Sequence, residues 1–212
     1  MEAHDPARDG LLRRATRLEY LTVGWNIVEG VLAVSAATAA GSVALLGFGL
    51  DSFVESTSGL ILLWRLSREK GDRNTSPEDI ERLDQRAHRL VGATLFLLAA
   101  YIFVDAGLAL WNSERPETSL VGLVLVSLSI PVMWWLARAK AATARELGSR
   151  ALEADSFQTM ACWWLSVVTL GGIGLNAALG WWWADPLAAL GVAALVIREG
   201  VEAWRGTSCS GC

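Results

Sequence analysis

Cysteine is scarce in this 212-residue chain: Cys162 lies inside an apolar run, and Cys209 and Cys212 close the sequence. Three thiols so placed cannot frame a disulfide scaffold, which leaves free thiols or metal ligands. No basic stripe of the kind that follows a phosphate backbone is present, so nucleic acid is not expected as a partner. The first 17 residues are polar and carry Arg8, Arg13, Arg14 and Arg17, with no short apolar core ending in small residues, so no removable leader is expected. Only residues 206–212 follow the last apolar run, so no soluble domain is expected there. What the chain has in quantity is apolar surface. It is 53% hydrophobic, with mean hydropathy +0.37, 11 Trp and 20 Gly, too apolar for an ordinary soluble domain and too short for two membrane bundles. The expected class is therefore all-α, one integral membrane domain.

Six apolar segments can be marked, at Leu18–Ala40, Ser42–Trp64, Leu90–Trp111, Thr118–Leu136, Leu152–Leu175 and Pro186–Trp204. Each is roughly 19 to 24 residues, enough to cross about 30 Å of hydrocarbon as a helix. Their connections carry an asymmetric charge. Every Lys and Arg except Arg115 falls in the N-terminal arm (1–17), the 65–89 connection, the 138–150 connection or the end of the last segment. By the positive-inside rule this gives a six-helix bundle over 18–204 with both termini cytoplasmic, including a tail at 205–212. Trp64, Trp134, Trp135 and Trp204 then fall at the inner interface, and Trp111, Trp181, Trp182 and Trp183 at the outer one, an aromatic belt. Within the 65–89 connection, Ser76-Pro77-Glu78-Asp79 predicts a helix start that runs into the third segment, with Ile80, Leu83, Ala87 and Leu90 as a narrow apolar stripe. Pro131 predicts a kink in the fourth segment, and Gly171-Gly172-Ile173-Gly174 close packing or a bend in the fifth. Asp185-Pro186 reads as an N-cap followed by proline in the first turn of its own helix.

Against this apolar background the intramembrane polar groups are conspicuous, because each is costly at bilayer depth. Asp51 and Glu55 stand four residues apart, so on a helix both carboxylates face one spot and could coordinate one cation. Asn26, Glu29, Tyr101, Asp105, Asp155, Gln158 and Cys162 are the others. Counted from the cytoplasmic end of each helix, Glu55 and Asp51 come at roughly 13 and 20 Å, Gln158 and Cys162 at roughly 12 and 18 Å, and Asn26 and Glu29 at roughly 13 and 18 Å. The three pairs lie level and can converge. Asp105, at about 24 Å, is further out. For each there is also a plainer role: Asp51 and Glu55 as a hydrogen-bonded pair between helices, Gln158 as a helix-to-helix amide contact, and Cys162 as a small packing residue. Asp155, nearer the cytoplasmic end, reads as a residue on the approach or as a contact at the helix start. Cys209 and Cys212 form a C-x-x-C on a solvated tail, without partner ligands.

Three stretches together carry a family resemblance: SVALLGFGLDSFVE from Ser42 to Glu55, GSRALEADSFQTMAC from Gly148 to Cys162, and WADPLAAL from Trp183 to Leu190. From Asn26 to Trp204 the chain resembles the cation diffusion facilitator family of divalent-metal transporters, in particular short members without the cytoplasmic C-terminal domain. The resemblance implies a transport site with two ligands from the second span and two from the fifth, at positions occupied here by Asp51, Glu55, Gln158 and Cys162. Asp155 and Glu29 complete the expected metal set. Glu55 stands where the family has Asp, Gln158 where it has His, and Cys162 where it has Asp. An amide cannot titrate, which puts proton coupling through Gln158 in question, and a thiolate shifts preference toward zinc, cadmium or copper(I). Glu29 or Asp105 could take over the lost role.

The implied function is export of a divalent cation, zinc or a similar ion, from the cytoplasm by alternating access coupled to protons. The ion is the substrate, and no organic cofactor or enzymatic chemistry is implied. The expected setting is the inner or plasma membrane, with any homodimer made through the spans. Two other readings remain: a metal-binding membrane protein that keeps the fold without turnover, and a thiol-redox protein using Cys209 and Cys212.

Overall fold

A computed structural model describes residues 6–71, 77–113, 116, 117 and 119–205, without the side chains of 6, 7, 65, 68–71, 77–91, 94, 150, 202, 203 and 205. Six helices account for almost all of it: α1 (Pro6–Ala40), α2 (Val43–Gly71), α3 (Pro77–Trp111), α4 (Leu120–Leu147), α5 (Arg150–Leu179) and α6 (Ala184–Arg205). Among the described residues there is no strand. Four stretches are long and apolar enough to cross a bilayer, Arg8–Ala40, Val43–Trp64, Leu120–Leu147 and Ala151–Leu179, and α3 contributes a shorter apolar stretch, Leu95–Trp111. Helices α1, α2, α5 and α4 form a closed ring of neighbours, and the α3–α6 pair packs against α2, with α6 also on α5. Helix α2 thereby touches α1, α3, α5 and α6, which puts Asp51 and Glu55 at the centre of the bundle.

The exterior is apolar and the interior carries the polar groups. Leu120, Val121, Val124 and Leu128 lie exposed along α4, as do Tyr20, Leu21, Val28 and Val31 along α1. A continuous apolar surface of this kind would be a liability in water and is the natural face toward lipid. Inside, α1 buries Glu19, Thr22, Asn26 and Glu29, and α5 buries Asp155, Thr159, Cys162, Ser166 and Thr169. Both rows follow the three-then-four spacing that keeps side chains on one helix face. Close backbone approach holds α1 to α2: a Cβ on Gly30 would meet the Gly49 carbonyl oxygen at 3.1 Å, and one on Gly49 the Ala33 methyl at 2.9 Å. Small residues at such a crossing let helices pack where lipid supplies no hydrophobic drive.

The helices outrun the expected segments. Helix α1 begins at Pro6 rather than near residue 18, because Leu12 and Ala15 pack with Leu62, Leu66, Ala144, Leu147 and Leu152 into a separate apolar cluster at that end of the bundle. Helix α4 continues through Pro131 to Leu147, so the expected 138–150 connection is mostly helix. The true turn is Gly148-Ser149. Gly148 takes the left-handed conformation, φ 66°, and Ser149 caps α5 by accepting from the Leu152 amide. Helix α3 starts at Pro77 as expected, while Ser76 and the stripe from Ile80 to Leu90 lie outside the described residues or side chains.

Asp185 departs from its expected role. It sits in the first turn of α6, but its carboxylate accepts from the Ser42 hydroxyl (2.5 Å), the Val43 amide (3.0 Å) and the Ala44 amide (3.4 Å). It caps α2, not its own helix. The first amides of α2 have no intrahelical acceptors, and a buried carboxylate from a neighbour satisfies them at an end that water does not reach.

Candidate metal centre

Asp51 on α2 and Cys162 on α5 meet in the middle of the ring. The Cys162 Sγ lies 3.9 Å from the Asp51 Oδ2, and both residues are buried. Sulfur and oxygen bound to one tetrahedral zinc, at about 2.3 and 2.1 Å, would be about 3.6 Å apart, so this pair is already near the separation that a shared ion requires. Glu55, one turn along α2, is equally buried, and neither of its carboxylate oxygens has a hydrogen-bond partner. Across on α1, Glu29 Oε2 accepts from the Ser52 hydroxyl at 3.4 Å, while Oε1 has no partner. Cys162 is within electrostatic reach of Glu55, Asp51 and Glu29 together.

Two further polar side chains are left without partners. Both ends of the Asn26 amide and the Ser129 hydroxyl are buried and unsatisfied. A buried polar group without a hydrogen bond costs roughly 1–3 kcal/mol, so several in one region call for an explanation beyond packing. The chemistry gathered there is mixed: three carboxylates, a thiol, an amide and a hydroxyl from α1, α2, α4 and α5. Among the described residues no three Cys, His, Asp or Glu side chains stand together at coordinating distance.

The other expected residues go elsewhere. Gln158 is half-buried, and its amide nitrogen donates to the Ser58 hydroxyl on α2 at 3.4 Å, a helix-to-helix contact. Asp105 is half-buried one turn from Tyr101 on α3. Cys209 and Cys212 lie outside the described residues. Asp155 binds Lys140, a residue that sequence reasoning had assigned to a solvated connection. The Lys140 ammonium, fully buried, is 2.5 Å from Asp155 Oδ2, 3.1 Å from Glu19 Oε1 and 3.2 Å from the Thr159 hydroxyl. Three helices, α1, α4 and α5, are tied by this one side chain. The signal was available in the spacing: Met133, Leu136, Lys140, Thr143 and Leu147 form one buried stripe once α4 is allowed to run to its glycine cap. Glu19 likewise falls in phase with Asn26 and Glu29.

A polytopic helical bundle with apolar walls and an acidic interior has the build of an integral membrane protein. The model of the cation efflux transmembrane domain matches residues 22–207, and the chain belongs to that family. It is 30% identical over 203 residues to an uncharacterized transporter of Synechocystis sp., covering 93% of this chain and 64% of that protein. It is 26% identical over 185 residues to the magnetosome protein MamB of Magnetospira sp., covering 86% of this chain and 61% of that one. The chain thus spans less than two thirds of the length of these relatives.

Proposed function

We propose that the protein exports a divalent cation of the zinc type from the cytoplasm, with Asp51, Glu55 and Cys162 as its principal ligands and Glu29 as a fourth. The observation that carries this reading is the Asp51–Cys162 contact at 3.9 Å beside a Glu55 carboxylate that has no partner. Buried acids bind a cation when ionised and release it when protonated, which suits exchange of the ion for protons as the site opens to one side and then the other. The topology that goes with this has six spans, both termini cytoplasmic, in the inner or plasma membrane, with any homodimer made through the helices. Binding and release need no covalent step. The basic asymmetry of the connections supports the orientation.

A second reading is a metal-binding protein of the same fold without turnover. It is favoured by Gln158, whose amide is engaged with Ser58, and by the Lys140 ion cluster across the bundle. Purified protein in sealed liposomes with a fluorescent zinc indicator inside decides between them. Transport gives zinc-dependent signal against a protein-free control; metal-dependent stabilisation without flux establishes the second reading.

A further inference from the structure

The Lys140 cluster has the composition of a cation site already holding a cation. Glu19 contributes two oxygens, at 3.1 and 3.2 Å, Asp155 one at 2.5 Å and Thr159 a hydroxyl at 3.2 Å. Two carboxylates surround one ammonium, and a divalent ion in the ammonium's place would balance both once they are ionised. Its position points the same way. Thr159 stands one turn beyond Asp155 and one turn before Cys162, on the single buried face of α5. Gly59 on α2 packs against α1 beside Glu19: a Cβ there would meet a Val23 methyl at 2.6 Å and Glu19 Oε2 at 3.5 Å. Gly59 is itself one turn from Glu55. The cluster therefore lies next to the candidate metal centre, on the side of the α4–α5 turn.

An independent feature joins the two. Glu55 is buried, both its oxygens lack partners, and it interacts electrostatically with Lys140, Asp155 and the Thr159 hydroxyl as well as with Cys162. A buried carboxylate within reach of both donor sets is placed to receive an ion from one and pass it to the other.

We propose that Glu19, Asp155 and Thr159 form a second cation site, filled by the Lys140 ammonium between passages of the ion and adjoining the Asp51–Cys162 centre through Glu55. The donors are oxygen only, which fits a hard divalent cation such as manganese, magnesium or calcium better than a soft one. Preference for softer ions then falls to the thiol-containing centre beyond this site. The second site's place on the ion's route rests on the transport reading; its existence as a site does not.

Manganese binding to purified protein in detergent, counted by electron paramagnetic resonance, tests it. Lys140→Met should bind one more manganese per chain than the unmodified protein. That extra ion should vanish in Lys140→Met/Asp155→Asn and persist in Lys140→Met/Asp51→Asn. A count equal to that of the unmodified protein, or an extra ion that survives Asp155→Asn or is lost with Asp51→Asn, overturns the proposal. Recovery of folded Lys140→Met only when manganese is present supports it, since the metal then replaces the lost ammonium. Asp155→Asn alone, in which the amide oxygen still accepts from Lys140, gives a second measurement should Lys140→Met not fold under any condition. In liposomes its zinc KM should rise by about tenfold or more while equilibrium zinc affinity at the Asp51 centre is unchanged. An unchanged KM overturns the proposal. Zinc affinity that survives Asp51→Asn would count against the metal-centre assignment and leave the second site standing.

Discussion

Replacing Glu55 by Gln separates the cost of the site from its use. In the absence of metal, Glu55 is a buried carboxyl with Asp51 and Glu29 nearby and the Lys140 ammonium within electrostatic reach. Gln is isosteric and neutral, so the substitution removes desolvation and like-charge repulsion together with the attraction to Lys140, without opening a cavity, and metal-free stability should change little. With metal a loss appears. A ligand at 100 times its dissociation constant stabilises the native state by about 2.7 kcal/mol, and for a chain of this size each kcal/mol moves Tm by about 2–4 °C, so zinc should raise the Tm of the unmodified protein by about 5–11 °C. Glu55→Gln loses a charged ligand, and a tenfold loss of affinity removes about 1.4 kcal/mol, half of that gain. Loss of a hundredfold or more removes essentially all of it. The assay is thermal unfolding in detergent, with and without zinc, followed by tryptophan fluorescence. A Glu55→Gln protein that keeps the full zinc-dependent shift would refute the assignment of Glu55 as a ligand. One with a markedly lower metal-free Tm would show that its carboxylate serves packing instead.

Three other outcomes are expected. Asp185→Ala should destabilise the fold by about 2–4 kcal/mol, because it strips the buried N-terminus of α2 of a charged acceptor; Asp185→Asn should recover most of that, and equal losses for the two would mean that volume rather than hydrogen bonding is at stake. Cys162→Asp should move preference from zinc and cadmium toward manganese in competition binding, whereas deleting residues 207–212 should leave the order unchanged; the opposite result would transfer metal preference to the Cys209–Cys212 pair. A reporter fused after Cys212 should be active on the cytoplasmic side, and activity confined to the outer side would invert the proposed orientation.

The helices were legible because their signal is local and redundant: runs of about 20 apolar residues, punctuated by Gly41, Gly148 and Gly180, all of which adopt positive φ. The level of Asp51 with Cys162 was legible too, since depth along a helix is a matter of counting, and the two side chains meet. Which way a given side chain turns around its helix was harder to read. Counting put Gln158 level with Glu55, but its amide reaches Ser58, because depth fixes height and not azimuth. Asp185 misled for a related reason. An Asp before Pro has the local pattern of a cap, and only the packing of α6 beside the start of α2 shows which helix needs it more. Lys140 is the instructive miss. Charge at a segment end was taken as a solvated connection, although an apolar stripe at helical spacing continued past it to Leu147. A lysine that keeps helical phase with a buried stripe should be paired before it is exposed. The partners it demands, Glu19 and Asp155, were the acids on α1 and α5 in phase with Glu29 and Cys162. The same two helices therefore present one continuous row of polar groups running from the ammonium to the thiol, and its cost at bilayer depth is the physical ground for placing the proposed ion route along it.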